Sequence, residues 1–445
     1  MEPSVNVRRI ALYTLERVLD EGAYSALALN AAIKEHHLSA RDASFLSALT
    51  YGVLERLLLL DHVIRQYSSL RIGKIEPRTL MILRLGIYQL LYMDRVPDSA
   101  AVNESVKLCK KCGMFKSAGF VNGLLRSFLR AEKQFSLPDA LPQRLSVQYS
   151  CPQGVVSMWL SSYGEELTER LLQELIGRPP LTIRVNTLKT SVDKLTEQLQ
   201  SHDIEVERVP YLPYALNLSH TGSLEELDAF ERGLFYVEDG SSQLCCEMLG
   251  AMPHETVCDI CAAPGGKSFY SAMLMGDTGT VYAYDIHKHK VRLIESSAAR
   301  LGITAIHAAV RDAADDTAVL PRCDRILCDV PCSGLGILRR KPEIRYKKDT
   351  FIDILPKLQY SILCINADFA PIGGTVVYST CTLRDEENRA VVDRFLSEHP
   401  AFIGEELTLP QGLGRAVDEP PHMLTVLPTM FGSDGFFIAK FRRIR

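Results

Sequence analysis

The sequence predicts a multidomain chain: an all-α bundle first, a small α/β connector next, and last an α/β domain built on a largely parallel sheet. Three observations carry this. Apolar residues recur at helical spacing through residues 1–140, helix-like and strand-like stretches alternate over 141–235, and within 236–445 short apolar runs end repeatedly in an acid or a glycine turn. With 445 residues, 47% of them hydrophobic, the chain is long enough to fill several cores.

The bundle is read from its faces and caps. Val7, Ile10, Ala11, Leu15, Val18 and Leu19 share one helical face, and Ser39 with Asp42 forms a cap signature ahead of a run from Phe45 through Leu49, Val53, Leu57 and Leu60 to Ile64. Pro77 suits the first turn of a helix carrying Leu80, Leu83, Ile87 and Leu90; further helices follow Asp98 to near Gly113 and span Lys116 to Lys133. No internal repeat is evident, which favours a compact bundle over a solenoid.

Charge separates the blocks more sharply than the net value of −4 suggests. Residues 1–135 hold 19 Lys and Arg against 13 Asp and Glu, hence +6, while residues 136–445 hold 31 against 41, hence −10. This is the asymmetry of a basic module that delivers an anionic polymer to another domain. Its candidate contacts are Arg8, Arg9, Lys107, Lys110, Lys111, Lys116, Arg126 and Arg130, acting together rather than singly.

Leu137-Pro138-Asp139-Ala140-Leu141-Pro142 marks the way out of the bundle. Beyond it come a helix near Pro152 to Ile176, a strand at Leu181 to Asn186, a helix near Ser191 to Ser201 and a strand around Glu205 to Val209. Nothing local assigns chemistry to Arg184 or Asn186.

The opening residues Met1 to Ile10 contain no apolar leader core, and no apolar run approaches the roughly 18 residues of a membrane span, so a cytoplasmic protein without membrane contact is expected. Its twelve cysteines are then reduced thiols. Most are expected as core filler: Cys151, Cys245, Cys246, Cys323, Cys328 and Cys364. Cys109 and Cys112 form a C-x-x-C on a helix with no second pair to complete a zinc site, so no metal is expected.

Chemistry converges in the last block. The apolar stretch Thr256 to Ile260 runs into Cys261-Ala262-Ala263-Pro264-Gly265-Gly266-Lys267-Ser268 and then a helix, a Rossmann-like arrangement in which small residues let a cofactor approach the backbone at a helix N-terminus. The spacing fits neither G-x-G-x-x-G nor the phosphate loop G-x-x-x-x-G-K-[ST]. Three acids close the following strands. Asp285 is placed for ribose hydroxyls, Asp312 for an adenine amino group, and Asp329 ends the fourth strand. A ribose acid, an adenine acid and no phosphate cradle point to S-adenosylmethionine rather than NAD.

Two cysteines follow strand-like stretches in the same block: Cys332 in Asp329-Val330-Pro331-Cys332-Ser333-Gly334 and Cys381 in Ser379-Thr380-Cys381-Thr382. Carbon 5 of cytosine becomes nucleophilic only when a thiolate adds to carbon 6, so an enzyme methylating carbon 5 needs an aimed cysteine and help with release.

With Asp434-Gly435-Phe436-Phe437, these motifs resemble in order those of the RNA cytosine-5 methyltransferases of the Sun/Nop family, and the stretches Val96 to Val106 and Phe120 to Arg126 resemble the NusB-like RNA-binding fold. The resemblance covers the whole chain and departs at Val330, where the family usually carries alanine. It implies a class I methyltransferase domain whose last strand is antiparallel. It implies Cys381 as nucleophile, Cys332 as the aid to product release, Asp329 on the cytosine edge, and Lys267 between the cofactor's methionine end and the base. Cys381 also needs a neighbour to favour its thiolate, a part for which Lys267 is the candidate.

The basic run Arg339 to Lys348 is expected to clamp RNA phosphates, with Tyr346 stacking on a base. The expected partner is small-subunit (16S) rRNA, single-stranded or opened at the target cytosine, with no DNA and with the protein a monomer. A tRNA substrate is the alternative within the class; a non-catalytic RNA-binding assembly factor is the alternative outside it.

Overall fold

The computed structural model describes residues 6–317, 320–347 and 354–445. The chain forms two compact units, one of residues 1–177 with 338–348 and one of residues 178–337 with 349–445.

In the first unit the expected cap at Ser39 forms, its side chain accepting from the Asp42 amide ahead of Ala40–Glu55. Asn6 also accepts from the Arg9 amide ahead of Val7–Leu19, and Glu76 from the Arg78 and Thr79 amides ahead of Pro77–Tyr92, two caps not expected from the sequence. The single periodic run Phe45 to Ile64 is two helices, Ala40–Glu55 and Leu57–Tyr67, bent by 76°. Arg56 makes the break: its backbone leaves the helical region, with φ at −124°, and its guanidinium lies 4.0 Å from the Tyr92 ring. The bend lets Leu46, Leu49, Leu60 and Val63 face one core with Leu12, Ile82 and Phe128. Among the described residues no single helix is long and apolar enough to cross a membrane.

The units divide the expected connector of 141–235. Its helices Leu141–Gln148 and Gln153–Glu174 pack in the first unit, where the Leu59 amide donates to Ser150 Oγ at 3.1 Å and Leu145, Tyr149 and Cys151 are buried. Its strands belong to the second unit. Apolar helix faces bury where a complementary face is available, and sequence order does not decide that.

Part of the basic run after the cysteine loop is also placed against expectation, although Lys341 and Lys347 are exposed. Its 3-10 turn Pro342–Tyr346 lies inside the first unit. Glu343 accepts from the Ser25 amide and hydroxyl, the Tyr346 hydroxyl donates to the Leu54 carbonyl at 2.6 Å, and Arg345, 4% exposed, donates to the carbonyls of Glu55 at 3.0 Å and Leu175 at 2.8 Å. Arg339 pairs with Glu174 at 3.3 Å, while Lys341 and Lys347 lie over the Tyr24 ring. Neither Arg345 nor Tyr346 is therefore open to RNA: a buried guanidinium this well supplied with carbonyls is a packing element. Lys348 lies outside the described residues.

The second unit holds two sheets. Strands β1 (Leu181–Val185), β2 (Glu205–Arg208), β3 (Ala215–Ser219) and β4 (Phe235–Val237) form an antiparallel sheet in the order β2-β3-β1-β4. In it Arg184 is fully buried between the Tyr214 and Tyr270 rings, at 4.4 and 4.1 Å, and Asn186 donates to the Gly233 and Leu301 carbonyls. Both residues serve the fold.

The larger sheet contains β5 (Thr256–Asp259), β6 (Thr280–Asp285), β7 (Ile306–Val310), β8 (Arg325–Asp329), β9 (Thr375–Thr380), β10 (Phe402–Gly404), β11 (Met423–Val426) and β12 (Phe436–Arg443). Its order is β10-β12-β9-β8-β5-β6-β7, with β11 on β12. Strands β5 to β9 run parallel, so their carboxyl ends share one edge, and β12 enters antiparallel beside β9. Helices Gly266–Leu274, Lys288–Leu301 and Leu355–Ala367 connect successive parallel strands. All six residues of β9 are buried, which fits a central strand covered on both faces.

Candidate active site

The turn after β5 builds the first wall. Gly265 has φ +111°, and a Cβ there would lie 2.4 Å from the Phe269 ring, so only glycine serves. Its amide donates to the Ala262 carbonyl, the Ala262 amide donates to the Tyr284 carbonyl, and the helix Gly266–Leu274 starts at once. A Cβ on Gly266 would meet Glu238 Oε1 at 2.7 Å.

Behind this turn lies a cleft of about 210 Å³. Cys261, Ala262, Ala263, Pro264, Gly266, Lys267, Asp259 and Asp329 line it, joined by Val237, Glu238, Asp239 and Ser242 from β4 and the next helix. Sequence reasoning missed this last group. A signal for it existed, since Asp239 before Gly240-Ser241-Ser242 is an N-cap pattern, and Asp239 does accept from the Ser241 amide at 2.9 Å.

The cleft's charge is acidic. Glu238, Asp239, Asp259 and Asp329 line it against the single cation Lys267, among the described residues. Burial pushes the Glu238 carboxyl up to about 7, against the pull of Lys267. Burial likewise pushes Asp259 up to about 7, opposed by the Ser268 hydroxyl that donates to its Oδ2 at 2.7 Å. The other oxygen of Asp259 is buried without a hydrogen-bond partner. A ligand bringing an ammonium or sulfonium group would draw the Glu238 and Asp259 carboxyls toward their ionised form and be stabilised by it, whereas a phosphate would hold them protonated and gain nothing from them.

A titration test follows from Asp259. A carboxyl raised in the folded state keeps its proton; the stability this grants is complete below the unfolded value of about 4 and is lost as pH rises through the folded one. Asp259→Asn retains the Ser268 bond. It should therefore raise the melting temperature of cofactor-free protein more at pH 8 than at pH 5, measured by scanning calorimetry; equal shifts would show that Asp259 is ionised throughout.

The second wall comes from β8 and β9. Their parallel register sets Asp329 opposite Ser379, and the Ser379 hydroxyl donates to Asp329 Oδ1 at 2.8 Å. Lys267 Nζ meets Asp329 Oδ2 at 2.7 Å and Ser242 Oγ at 3.2 Å. Burial is the largest single influence and works against the Lys267 charge, but Asp329, Cys245, Cys246 and Glu238 together outweigh it and hold the ammonium above its ordinary range.

Just past these strand ends, Cys332 Sγ and Cys381 Sγ stand 3.2 Å apart as free thiols. The hydrogen bond to Cys381, reinforced by burial, holds the Cys332 thiol well above its ordinary value, so Cys332 keeps its proton. Burial above all pushes Cys151 and Cys245 up to about 12, so these two thiols also stay protonated.

A frame of hydrogen bonds holds the two cysteine loops. The buried Glu387 carboxylate accepts from the Ser333 amide and from Gln359, and Gln359 also donates to the Pro331 carbonyl. The Gly336 amide donates to the Cys381 carbonyl, the Gly435 amide to the Gly336 carbonyl, and the Asp434 amide to Asp239. The motif Asp434 to Phe437 thus ties the cysteine loops to the first wall. Val330, where the resemblance departs, is buried in the apolar layer beside Cys258 and Cys328.

Asp285 and Asp312 stand on the same sheet edge, at and just past the ends of β6 and β7, and are not part of the cleft's lining. Asp285 is buried, accepts from the His287 amide at 2.9 Å and lies 3.6 Å from Lys290 Nζ. Asp312 is exposed and accepts from the Ala314 amide at 2.9 Å.

Comparison with known proteins gives this geometry its family. The model of the 16S rRNA methyltransferases RsmB/F matches residues 246–442, the NusB family model residues 5–130, and the RsmF/B-like ferredoxin-like domain residues 151–225. A probable ribosomal RNA small subunit methyltransferase B from Bacillus subtilis is 39% identical, over 98% of this chain and 99% of its own length. The chain belongs to the RsmB/F family of 16S rRNA methyltransferases. A second relative of the same name, from Synechocystis, is 38% identical over 99% of this chain and 100% of its own. The crystal structure of PH0851 superposes with a TM-score of 0.83 at 25% identity, covering 100% of both chains.

The methyl donor of this family is S-adenosylmethionine. The cleft suits it: the unpartnered Asp259 oxygen and the acidic lining match a cationic amino-acid end, Gly265 and Gly266 open the backbone to it, and Asp285 stands one strand along.

Proposed function

We propose that this protein methylates carbon 5 of a cytosine in small-subunit rRNA, with Cys381 as covalent nucleophile. The observation that carries the proposal is the pair of free thiols 3.2 Å apart beside the Lys267–Asp329 ion pair, at the carboxyl ends of adjacent parallel strands. The relatives' names supply the substrate: both are small-subunit rRNA methyltransferases.

Bound S-adenosylmethionine supplies an electrophilic methyl group; the chain supplies everything else. Asp329, oriented by Ser379 and Lys267, accepts from the exocyclic amine of the cytosine, and the Lys267 ammonium meets the negative charge that builds on the ring. Cys381 adds to carbon 6, which makes carbon 5 the nucleophile. After methylation the carbon-5 proton leaves to a base, the electron pair reforms the 5,6 double bond, and the bond from carbon 6 to Cys381 breaks. Cys332 aids that release from its position against the Cys381 sulfur. Lys267 is committed to Asp329, so the neighbour that serves Cys381 is Cys332.

Cys261 to Lys267, Asp285, Asp312 and Asp329 are the proposed cofactor residues. Asp285→Ala should weaken cofactor binding by roughly ten- to a hundredfold, since a hydrogen bond to a charged group contributes about 1.5–3 kcal/mol. Titration calorimetry with S-adenosylmethionine measures it, and an RNA gel shift should change little; unchanged cofactor affinity would place the ribose elsewhere. The reaction itself is tested by mapping 5-methylcytosine in rRNA incubated with the protein. Methylation of tRNA alone, or of another atom, would overturn the reading.

A further inference from the structure

Asp312, the acid proposed to meet the cofactor's adenine, stands where the sheet gives its backbone little support. It follows β7, which ends the sheet and pairs with β6 alone among the described residues. Its side chain is exposed. One carboxylate oxygen accepts from the Ala314 amide, and the other has no hydrogen-bond partner among the described residues.

Support for this stretch comes from the helix Leu355–Ala367. Asn366, fully buried, accepts from Arg311 Nη1 at 2.8 Å and donates through Nδ2 to the Ala313 carbonyl at 2.9 Å and to the Ile362 carbonyl at 2.7 Å. One side-chain amide therefore grips the residues on both sides of Asp312 and anchors them to its own helix. The Arg311 amide adds a third tie by donating to the Asp285 carbonyl at 3.1 Å, so the backbone beside the adenine acid is bonded directly to that of the ribose acid.

The Arg311–Asn366 pair is a poor device for stability. Arg311 is 9% exposed, its guanidinium lies 5.7 Å from the Tyr284 ring, and its Nε and Nη2 are buried without hydrogen-bond partners among the described residues. A buried guanidinium with two unmet nitrogens costs more than one neutral acceptor offsets, so apolar side chains of like size would hold the fold as well or better. What apolar side chains could not do is fix the backbone on either side of an exposed carboxylate.

We propose that Asn366 and Arg311 are positioning residues that aim Asp312 at the exocyclic amine of adenine, and so set the preference for a 6-aminopurine cofactor over a 6-oxopurine one. An ionised carboxylate only accepts hydrogen bonds, so a fixed one favours an amino group at that place and rejects a carbonyl oxygen. The discrimination is lost once the carboxylate is free to turn away. This rests on the reading of Asp312 given above, which the same measurements test separately.

The test is titration calorimetry of the full-length protein with S-adenosylhomocysteine and with S-inosylhomocysteine, which carries oxygen in place of the amino group. Wild type should prefer the adenosyl compound by roughly tenfold or more, the size of one hydrogen bond to a charged group. Asp312→Ala should abolish the preference. Arg311→Met with Asn366→Leu removes the buried charge together with its partner; it should abolish most of the preference, leave affinity for the inosyl compound near wild type, and leave the melting temperature no lower. Arg311→Met alone keeps the tie to Ala313 and should retain an intermediate preference.

A double variant that keeps the wild-type preference overturns the proposal, because Asp312 would then need no help. So does one that loses affinity for both compounds alike, because the pair would then merely hold the fold. Were the double variant unfolded, Arg311→Met decides alone: a wild-type preference there overturns the proposal. If Asp312→Ala keeps the preference, or wild type shows none, the reading of Asp312 itself falls and the role of the pair with it.

Discussion

Cys381→Ala should lose methyl transfer by roughly a thousandfold or more while keeping cofactor and RNA affinity, because removing a covalent nucleophile leaves only binding and electrostatics to act. Cys332→Ala should behave differently. Its Sγ is 3.2 Å from Cys381 Sγ, in place to aid release but not needed for addition, so this variant should accumulate protein covalently joined to RNA. A denaturing gel after incubation with rRNA and S-adenosylmethionine separates the two: a slow band for Cys332→Ala, none for Cys381→Ala or the double variant. A slow band from Cys381→Ala would exchange the roles.

The second large effect is on stability. Arg345→Ala should destabilise the helical unit by roughly 3 kcal/mol or more, since the guanidinium is buried and two well-made hydrogen bonds, to the Glu55 and Leu175 carbonyls, are lost with it. Arg345→Lys should recover little, because an ammonium cannot span the carbonyls that the planar fork reaches. The chain's single tryptophan, Trp159, is buried in this same unit, so its fluorescence during denaturant unfolding reports the effect there. Were Arg345 a phosphate contact, Arg345→Ala would leave the unfolding curve unchanged and weaken RNA binding instead.

Much of the site could be read before any coordinates. The strand, glycine turn and helix from Thr256 onward, and the acids Asp285 and Asp329 at strand ends, stand where the pattern put them, because backbone preference and apolar periodicity are local properties. What escaped was non-local. Glu238 and Ser242 reach the cleft from the residue after β4 and from the helix that follows, about 20 residues before the turn, and Glu387, which no motif marked, holds the Ser333 amide. Phe45 to Ile64 keeps helical periodicity across the break at Arg56, so no pattern betrays the bend there.

By itself the sequence determined the helical and α/β halves, their opposite charge, the glycine turn after β5 and the two motif cysteines. The tertiary structure alone decided that Cys332 and Cys381, 49 residues apart, would touch. That depends on β8 and β9 lying side by side with Asp329 opposite Ser379, a register set by burial of both faces of β9 and by β12 on its far side. It also decided that Arg345 would be a buried tie and not a surface cation. Exposure is a property of what packs around a residue, and six basic residues in a row of ten carry no record of which will meet carbonyls and which will meet water.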